Sequence, residues 1–251
     1  MRGLKGLIVG VANEHSIAWG CAKVLYEAGA EIALTYQNEK TKGYVQPLAA
    51  QISSPIFMPL DVTNDAQLEQ LFERIKSTWG RLDFLIHAIA FAPKSDLQGR
   101  FVDCTREGFM IAMDISCHSL TRLAKAAEPL MCEGGSIITM SYYGAEKVVK
   151  NYNLMGPVKA ALEASVRYLA MDLGSKNIRV NALSPGPVNT RAASGLANFD
   201  DLMAKAADEA PIHQLVTIEA IGEASAFLVS NKARFITGQV IYVDGGYNIR
   251  D

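Results

Sequence analysis

Short apolar runs rich in β-branched residues recur along the chain and alternate with longer segments whose apolar positions fall three and four apart. The runs at 6–11, 31–36, 55–60, 83–89, 136–140, 178–183 and 239–243 predict strands. Most lack period-two alternation, the pattern of strands covered on both faces in a parallel sheet. Between them, residues 17–28 carry Ala18, Cys21, Ala22 and Leu25 at helical spacing. Residues 66–78 follow Asn64, a suitable N-cap, and 105–131, 159–173 and 218–229 complete the predicted helices. This βαβα order implies right-handed crossovers and an α/β, doubly wound parallel sheet of Rossmann type with helices on both faces. No internal repeat or linker interrupts it, so one domain over 1–251 is expected. The most irregular stretch, 184–197, is rich in Pro, Gly and Ala and follows a strand. Ligands bind at the carboxyl ends of strands in such sheets, which makes 184–210 a candidate substrate-binding lid.

Composition narrows the class. Hydrophobic residues make up 49% and charged residues 20%, and the net charge of −2 offers no broad basic face for nucleic acid. No apolar run approaches the ~20 residues of a membrane span. The start, Met1-Arg2-Gly3-Leu4-Lys5, lacks the apolar region of a signal peptide, so a cytoplasmic location is expected. Cys21, Cys104, Cys117 and Cys132 form no CxxC pair, and the four histidines are scattered, so no metal site is expected.

The first strand runs into a turn from Gly10 to Ser16, Ile17 and Ala18. Such a turn receives a pyrophosphate, because glycine admits close backbone approach and the helix N-terminus offers free N–H groups. The usual G-x-G-x-x-G is absent, with Gly10 and Gly20 remaining, so a plain turn with Ser16 as N-cap stays open. The second strand ends at Gln37, with Glu39 beyond and no arginine for a 2′-phosphate, although Lys40 and Lys42 follow. That favours NADH over NADPH; the alternative is a polar strand cap. Asp61, at the end of the third strand, could accept from an adenine amino group or cap the next helix. His87-Ala88-Ile89-Ala90 ends the fourth strand with small residues that permit close approach of a flat group, or merely tight packing.

Strand five leads into Ser141-Tyr142-Tyr143, followed by Tyr152 and Lys159. On a continuous helix the seven-residue separation of Tyr152 and Lys159 is ~700° of rotation, about 20° from alignment, and ~10.5 Å of rise. Both side chains would then leave one face, two turns apart. An ammonium nearby stabilises developing negative charge. Spacing alone does not distinguish this from a chance pair.

In order along the chain, the diagnostic segments are Gly10 with Ser16-Ile17-Ala18, Thr35-Tyr36-Gln37-Asn38, Asp61-Val62, His87-Ala88-Ile89-Ala90-Phe91-Ala92-Pro93 and Thr105-Arg106-Glu107-Gly108-Phe109. Asp114-Ile115-Ser116, Ser141-Tyr142, Asn151-Tyr152-Asn153, Lys159-Ala160, Ala192-Ala193-Ser194-Gly195 and Val243-Asp244-Gly245-Gly246 continue the series. The set resembles the divergent short-chain dehydrogenase/reductases over essentially the whole chain. Within that superfamily it is similar to the bacterial enoyl-acyl carrier protein reductases, which carry six residues between tyrosine and lysine where carbonyl-reducing relatives carry three.

The resemblance implies NADH-dependent reduction of the C2=C3 bond of trans-2-enoyl thioesters on acyl carrier protein, in fatty acid elongation, by a homotetramer. It implies that Gly10, Ser16 and Ile17 line the pyrophosphate, that Gln37, Asp61 and Val62 bound the adenosine, and that Ala88, Ile89 and Ala90 follow the cofactor. Lys159 would hold the nicotinamide ribose, and Val188 and Thr190 would meet the carboxamide and phosphate side. Tyr152 would hydrogen-bond the thioester oxygen. Tyr142, Met155, Ala192, Leu196 and Phe199 would form the acyl pocket, with Tyr142 also orienting the thioester. Four positions depart from the family. Ala90 stands where relatives often carry glycine, and Tyr143 replaces a commonly aliphatic residue. Pro157 lies between the catalytic pair, which a helix starting near Leu154 would accommodate. The stretch 196–206 has Asp200 and Asp201 with only Lys205 as a base, which would shift carrier docking to other lysines. Two other readings stand beside this one: a 3-oxoacyl or small-ketone carbonyl reductase of the same superfamily, and a dinucleotide-binding redox sensor without catalysis.

Overall fold

Seven parallel strands form one sheet in the order β3-β2-β1-β4-β5-β6-β7 in a computed structural model that describes residues 1–190 and 199–250. The strands are β1 (Lys5–Val9), β2 (Glu31–Tyr36), β3 (Phe57–Pro59), β4 (Phe84–His87), β5 (Gly135–Met140), β6 (Ile178–Pro185) and β7 (Val240–Val243). The helices are α1 (Ile17–Glu27), α2 (Glu39–Gln51), α3 (Asp65–Trp79), α4 (Lys94–Leu97), α5 (Arg106–Met113), α6 (Ser119–Ala127), α7 (Met155–Leu173), α8 (Phe199–Glu209) and α9 (Ile218–Val229). The continuous apolar runs mean what their pattern predicted. Leu7 and Val9 of β1 enter one core cluster with α3, α6 and α7, while Ile8 enters another with α1, α2 and α9. Strand order reverses between β1 and β4, and the crevice at that switch point is where such sheets bind ligands.

Several expectations need correction. Residues 105–131 do not form one regular helix: a π-helical segment, Asp114–His118, joins α5 to α6, and a 3-10 turn follows. Helix α2 lies outside the predicted elements, because Gly43 and Pro47 sit inside it. It is started by a capping box in which the Asn38 side chain accepts from Thr41 N while the Thr41 hydroxyl accepts from Asn38 N. Gly20 belongs to no phosphate turn. A Cβ there would lie 2.3 Å from the Ile218 carbonyl oxygen, so its role is to let α1 meet α9. Of the proposed lid, 184–210, the first two residues belong to β6 and 199–209 form α8, while 191–198 lie outside the described residues. Asn64 does cap α3, accepting from Gln67 N.

Candidate active site

The carboxyl ends of β1, β4, β5 and β6 open onto a cleft of about 440 Å³. Its lining brings together twelve residues singled out from sequence: Gly10, Ser16, Ile17, Ala88, Ile89, Ala90, Tyr142, Tyr152, Met155, Lys159, Val188 and Thr190. Gly10 has a φ of +105°, and a Cβ on it would sit 2.1 Å from the Ala88 carbonyl oxygen. Only glycine permits this close crossing of the β1 and β4 ends. The Ser16 hydroxyl does not cap α1. It accepts from Ala12 N and Asn13 N at 3.0 and 3.1 Å and so shapes the turn, while the first N–H groups of α1 keep no partner within the helix. A glycine cradle, small alanines and a helix N-terminus together fit a dinucleotide pyrophosphate.

Gln37, Asp61 and Val62 do not line this cleft. They sit beyond it at the carboxyl ends of β2 and β3, where an adenosine would extend. Gln37 is exposed there. Asp61 makes a turn instead of capping α3, accepting from Thr63 N and Oγ1 at 2.9 and 2.7 Å. Val62 turns its side chain into the core. Ala192 and Leu196 lie outside the described residues, and so does the side chain of Phe199.

Tyr152 and Lys159 are not two turns apart on one helix. Helix α7 begins at Met155, so Tyr152 belongs to the preceding turn, where Asn151 and Asn153 adopt φ of 66° and 37°. Asn153 fastens that turn by donating to the carbonyls of Leu97 and Gly99. Pro157 occupies the third position of α7, where an N–H has no intrahelical acceptor anyway. The Tyr152 ring packs edge-on to Tyr142, with centroids 4.8 Å apart, and against Gly144, where a Cβ would be 2.4 Å from the ring. Lys159 is 4% exposed and its Nζ donates to the Met140 carbonyl at 2.6 Å, at the last residue of β5.

Burial sets the protonation states. It pushes the Tyr152 phenol well above its ordinary range, with Tyr142 and Glu163 adding to it, and so Tyr152 is a hydrogen-bond donor at neutral pH. It raises Tyr142 likewise, and among the described residues the Tyr142 hydroxyl, buried at the cleft, has no hydrogen-bond partner. It lowers Lys159 to about 8, against smaller opposing effects of Cys117 and Glu163.

Four supporting groups escaped the sequence reading. Ser141 donates to Glu163 Oε1 at 2.5 Å and pins the end of β5 that carries both Met140 and Tyr142. Ser116, in the π-helical segment, accepts from Phe91 N and donates to Phe91 O, clamping the loop after β4. His87 is fully buried between Thr139 Oγ1 and Ser119 Oγ, both at 2.8 Å. Glu163 was findable in principle, since it lies one helical turn after Lys159. The others depend on contacts between elements far apart in sequence.

Comparison with known proteins follows the same lines. The sequence model of a family described as Enoyl-(Acyl carrier protein) reductase matches residues 10–248. The chain is 49% identical over 249 residues to the NADH enoyl-acyl-carrier-protein reductase FabI of Rickettsia felis, covering 99% of this chain and 96% of the relative. It is similar to the solved enoyl-acyl-carrier-protein reductase of Anaplasma phagocytophilum in complex with NAD, with TM-score 0.96 and 48% identity over 100% of this chain and 95% of that one. It is likewise similar to the Bacillus cereus enoyl-acyl carrier protein reductase solved with NADP+ and an indole naphthyridinone, with TM-score 0.98 and 46% identity over 100% and 98% of the two chains.

Proposed function

The chain belongs to the enoyl-(acyl carrier protein) reductase family, and we propose that it reduces the C2=C3 bond of trans-2-enoyl thioesters on acyl carrier protein with NADH. The observation that carries this reading is a buried and a half-buried tyrosine beside a buried lysine at one cleft, with the Tyr142 hydroxyl lacking a hydrogen-bond partner among the described residues. When bound, NADH supplies the hydride that reduces the β-carbon. Negative charge then develops on the thioester oxygen. Tyr152, kept protonated by burial, donates a hydrogen bond to that oxygen, a contribution of ~2.7–4 kcal/mol for a preorganised donor. Tyr142 orients the thioester with its otherwise unpaired hydroxyl. Lys159, fixed by the Met140 carbonyl, holds the nicotinamide ribose and adds positive field. Gly10, Ser16 and Ile17 take the pyrophosphate, Gln37, Asp61 and Val62 the adenosine side, and Val188 and Thr190 the carboxamide side.

The preference for NADH over NADPH has a local basis. Lys42, a cation close to the end of β2, is paired with Glu39 at 3.3 Å and lies 5.4 Å from the Tyr36 ring centroid. Met155 floors the acyl pocket, which we extend to Ala192, Leu196 and Phe199, and residues 184–210 act as its lid within a single domain. A second cleft of about 510 Å³ beside Tyr143 is lined by Lys147, Lys150 and Arg250, by Asp201, and by Lys205 paired with Glu209, and its three remaining cations support docking of an acidic carrier there. Exposed Phe109, Met110 and Ile111 on α5 and Tyr168 and Met171 on α7 supply apolar faces for a homotetramer. We place the protein in the cytoplasm; among the described residues no helix is long and apolar enough to cross a membrane.

The test follows NADH loss with crotonyl-CoA and, separately, acetoacetyl-CoA, with NADPH in parallel. Turnover of crotonyl-CoA is expected. Turnover of acetoacetyl-CoA alone would make the chain a carbonyl reductase, and cofactor binding without turnover of either would make it a sensor.

A further inference from the structure

Each turnover of the reductase reaction takes up one proton from solvent, and the geometry points to Glu163 as the residue that passes this proton to Lys159. The inference rests on the reductase reading and extends it. Lys159 and Tyr152 are 4% and 9% exposed, and both face a cleft that the two reactants fill. The proton therefore needs a way in through the protein.

The sheet provides polar groups for it. Ser141 N donates to the Leu183 carbonyl, and Ser184 is in register with Tyr242, so Ser141, Ser184 and Tyr242 form a row across β5, β6 and β7. Each follows a residue that packs toward α1 and α9, namely Met140, Leu183 and Ile241. Alternation along a strand turns the row to the α7 side, where Glu163 waits. Ser141 donates to Glu163. Among the described residues the Ser184 hydroxyl is buried without a hydrogen-bond partner, and the buried Tyr242 hydroxyl has only the Glu146 carboxylate beside it. Buried polar groups left over by the protein are satisfied by ordered water, so this row marks a hydrated compartment. It leads toward the solvent-exposed Glu146, whose carboxylate acts on both Tyr242 and Glu163.

The groups acting on Glu163 are Lys159 and Arg167 from its own helix, Ser141 and Glu146 from the loop after β5, and Tyr242 from β7. Glu163 is one turn from Lys159, ~5–6 Å at Cβ, and each acts electrostatically on the other. The step balances simply. With Tyr152 taken as the proton donor to the α-carbon of the product, the phenolate it leaves regains a proton from Lys159, which becomes the neutral amine. Glu163 then transfers its carboxyl proton to the neutral Lys159 amine, leaving carboxylate and ammonium. Water along the row returns a solvent proton to Glu163. Burial favours both carriers, lowering Lys159 to about 8 and raising Glu163.

Glu163→Gln keeps an acceptor for Ser141 and cannot carry the proton; Glu163→Ala loses both. For Glu163→Gln we expect unchanged NADH affinity, a fall in kcat of about tenfold to a hundredfold, a larger solvent isotope effect and a shifted pH profile. Glu163→Ala should regain rate with added imidazolium. A pH series of infrared spectra should show a carboxyl C=O band that persists above the ordinary glutamate range and that Glu163→Gln removes. Wild-type kcat, pH profile and isotope effect in Glu163→Gln, with only Glu163→Ala impaired, would overturn the inference and leave Glu163 as a support for Ser141. Wild-type protein that does not turn over crotonyl-CoA would instead remove the reductase reading, and the inference with it.

Discussion

His87 makes a sharp prediction about acid stability. The Ser119 hydroxyl donates its proton to the Ile115 carbonyl at 2.6 Å, so toward His87 Nε2 it can only accept. Nε2 must therefore carry hydrogen, and Nδ1 must accept from Thr139. A second ring proton would force the Thr139 hydroxyl to turn from donor to acceptor in a site already stripped of water, and the imidazole is held neutral. Burial, with the Lys159 charge adding to it, lowers its pKa from 6.5 to about 3. The sign follows from linkage. The folded value lies below the unfolded one, so below pH 6.5 the unfolded chain binds a proton that the native state refuses. Stability is fully present above pH 6.5 and falls as the pH drops, until about pH 3. Each pH unit inside that window costs about 1.4 kcal/mol, or about 3 kcal/mol by pH 4.5. Carboxylates titrate in part of the same range, so the comparison needs His87→Gln, which cannot titrate. Urea unfolding at matched protein concentration should give a steeper loss of stability below pH 6.5 for wild type than for the variant, by that amount per unit. Parallel pH dependences, or a His87 ring that titrates near 6.5 by NMR, would refute the reasoning.

The other predictions concern the cleft. Tyr152→Phe should lower kcat by about 10²–10³ with unchanged NADH affinity, read by fluorescence titration. Lys159→Ala should weaken NADH binding itself, since it removes the group assigned to the ribose; equal, small effects of both substitutions would remove both role assignments. Gly10→Ala should lose at least about 2 kcal/mol in thermal or urea unfolding, because φ of +105° strains any side chain and the new Cβ meets the Ala88 carbonyl.

What was legible in sequence follows from what each pattern depends on. Leu7, Ile8 and Val9 are covered on both faces of the sheet, and burial of that kind leaves a run of apolar residues that local reading detects. Helix α2 leaves no such mark, because Gly43 and Pro47 weaken its propensity while the Asn38–Thr41 capping box holds its start. The π-helical segment is invisible for another reason. Ser116 and Ser119 act on Phe91 and His87, residues over 20 positions away, so only the assembled fold reveals why the helix carries an extra residue there. Ser16 could be recognised as a turn residue, but not which backbone groups its hydroxyl would satisfy.

The Tyr152–Lys159 spacing was legible and its geometry was not, since Pro157 moves the helix start past Tyr152. Burial, which spacing cannot express, then sets the chemistry. An ordinary lysine at 10.5 and glutamate at 4.5 exchange protons only at a large free-energy cost. Desolvation disfavours the charged form of each, lowering the lysine and raising the glutamate, so their affinities for the proton converge. A direct ion pair would reverse this by stabilising both charges. The fold avoids one by giving each group a neutral partner: Lys159 donates to the Met140 carbonyl, and Glu163 accepts from the Ser141 hydroxyl. Adjacent residues at the end of β5 thus keep acid and base apart while holding them within one helical turn, an arrangement that lowers the cost of passing a proton between them.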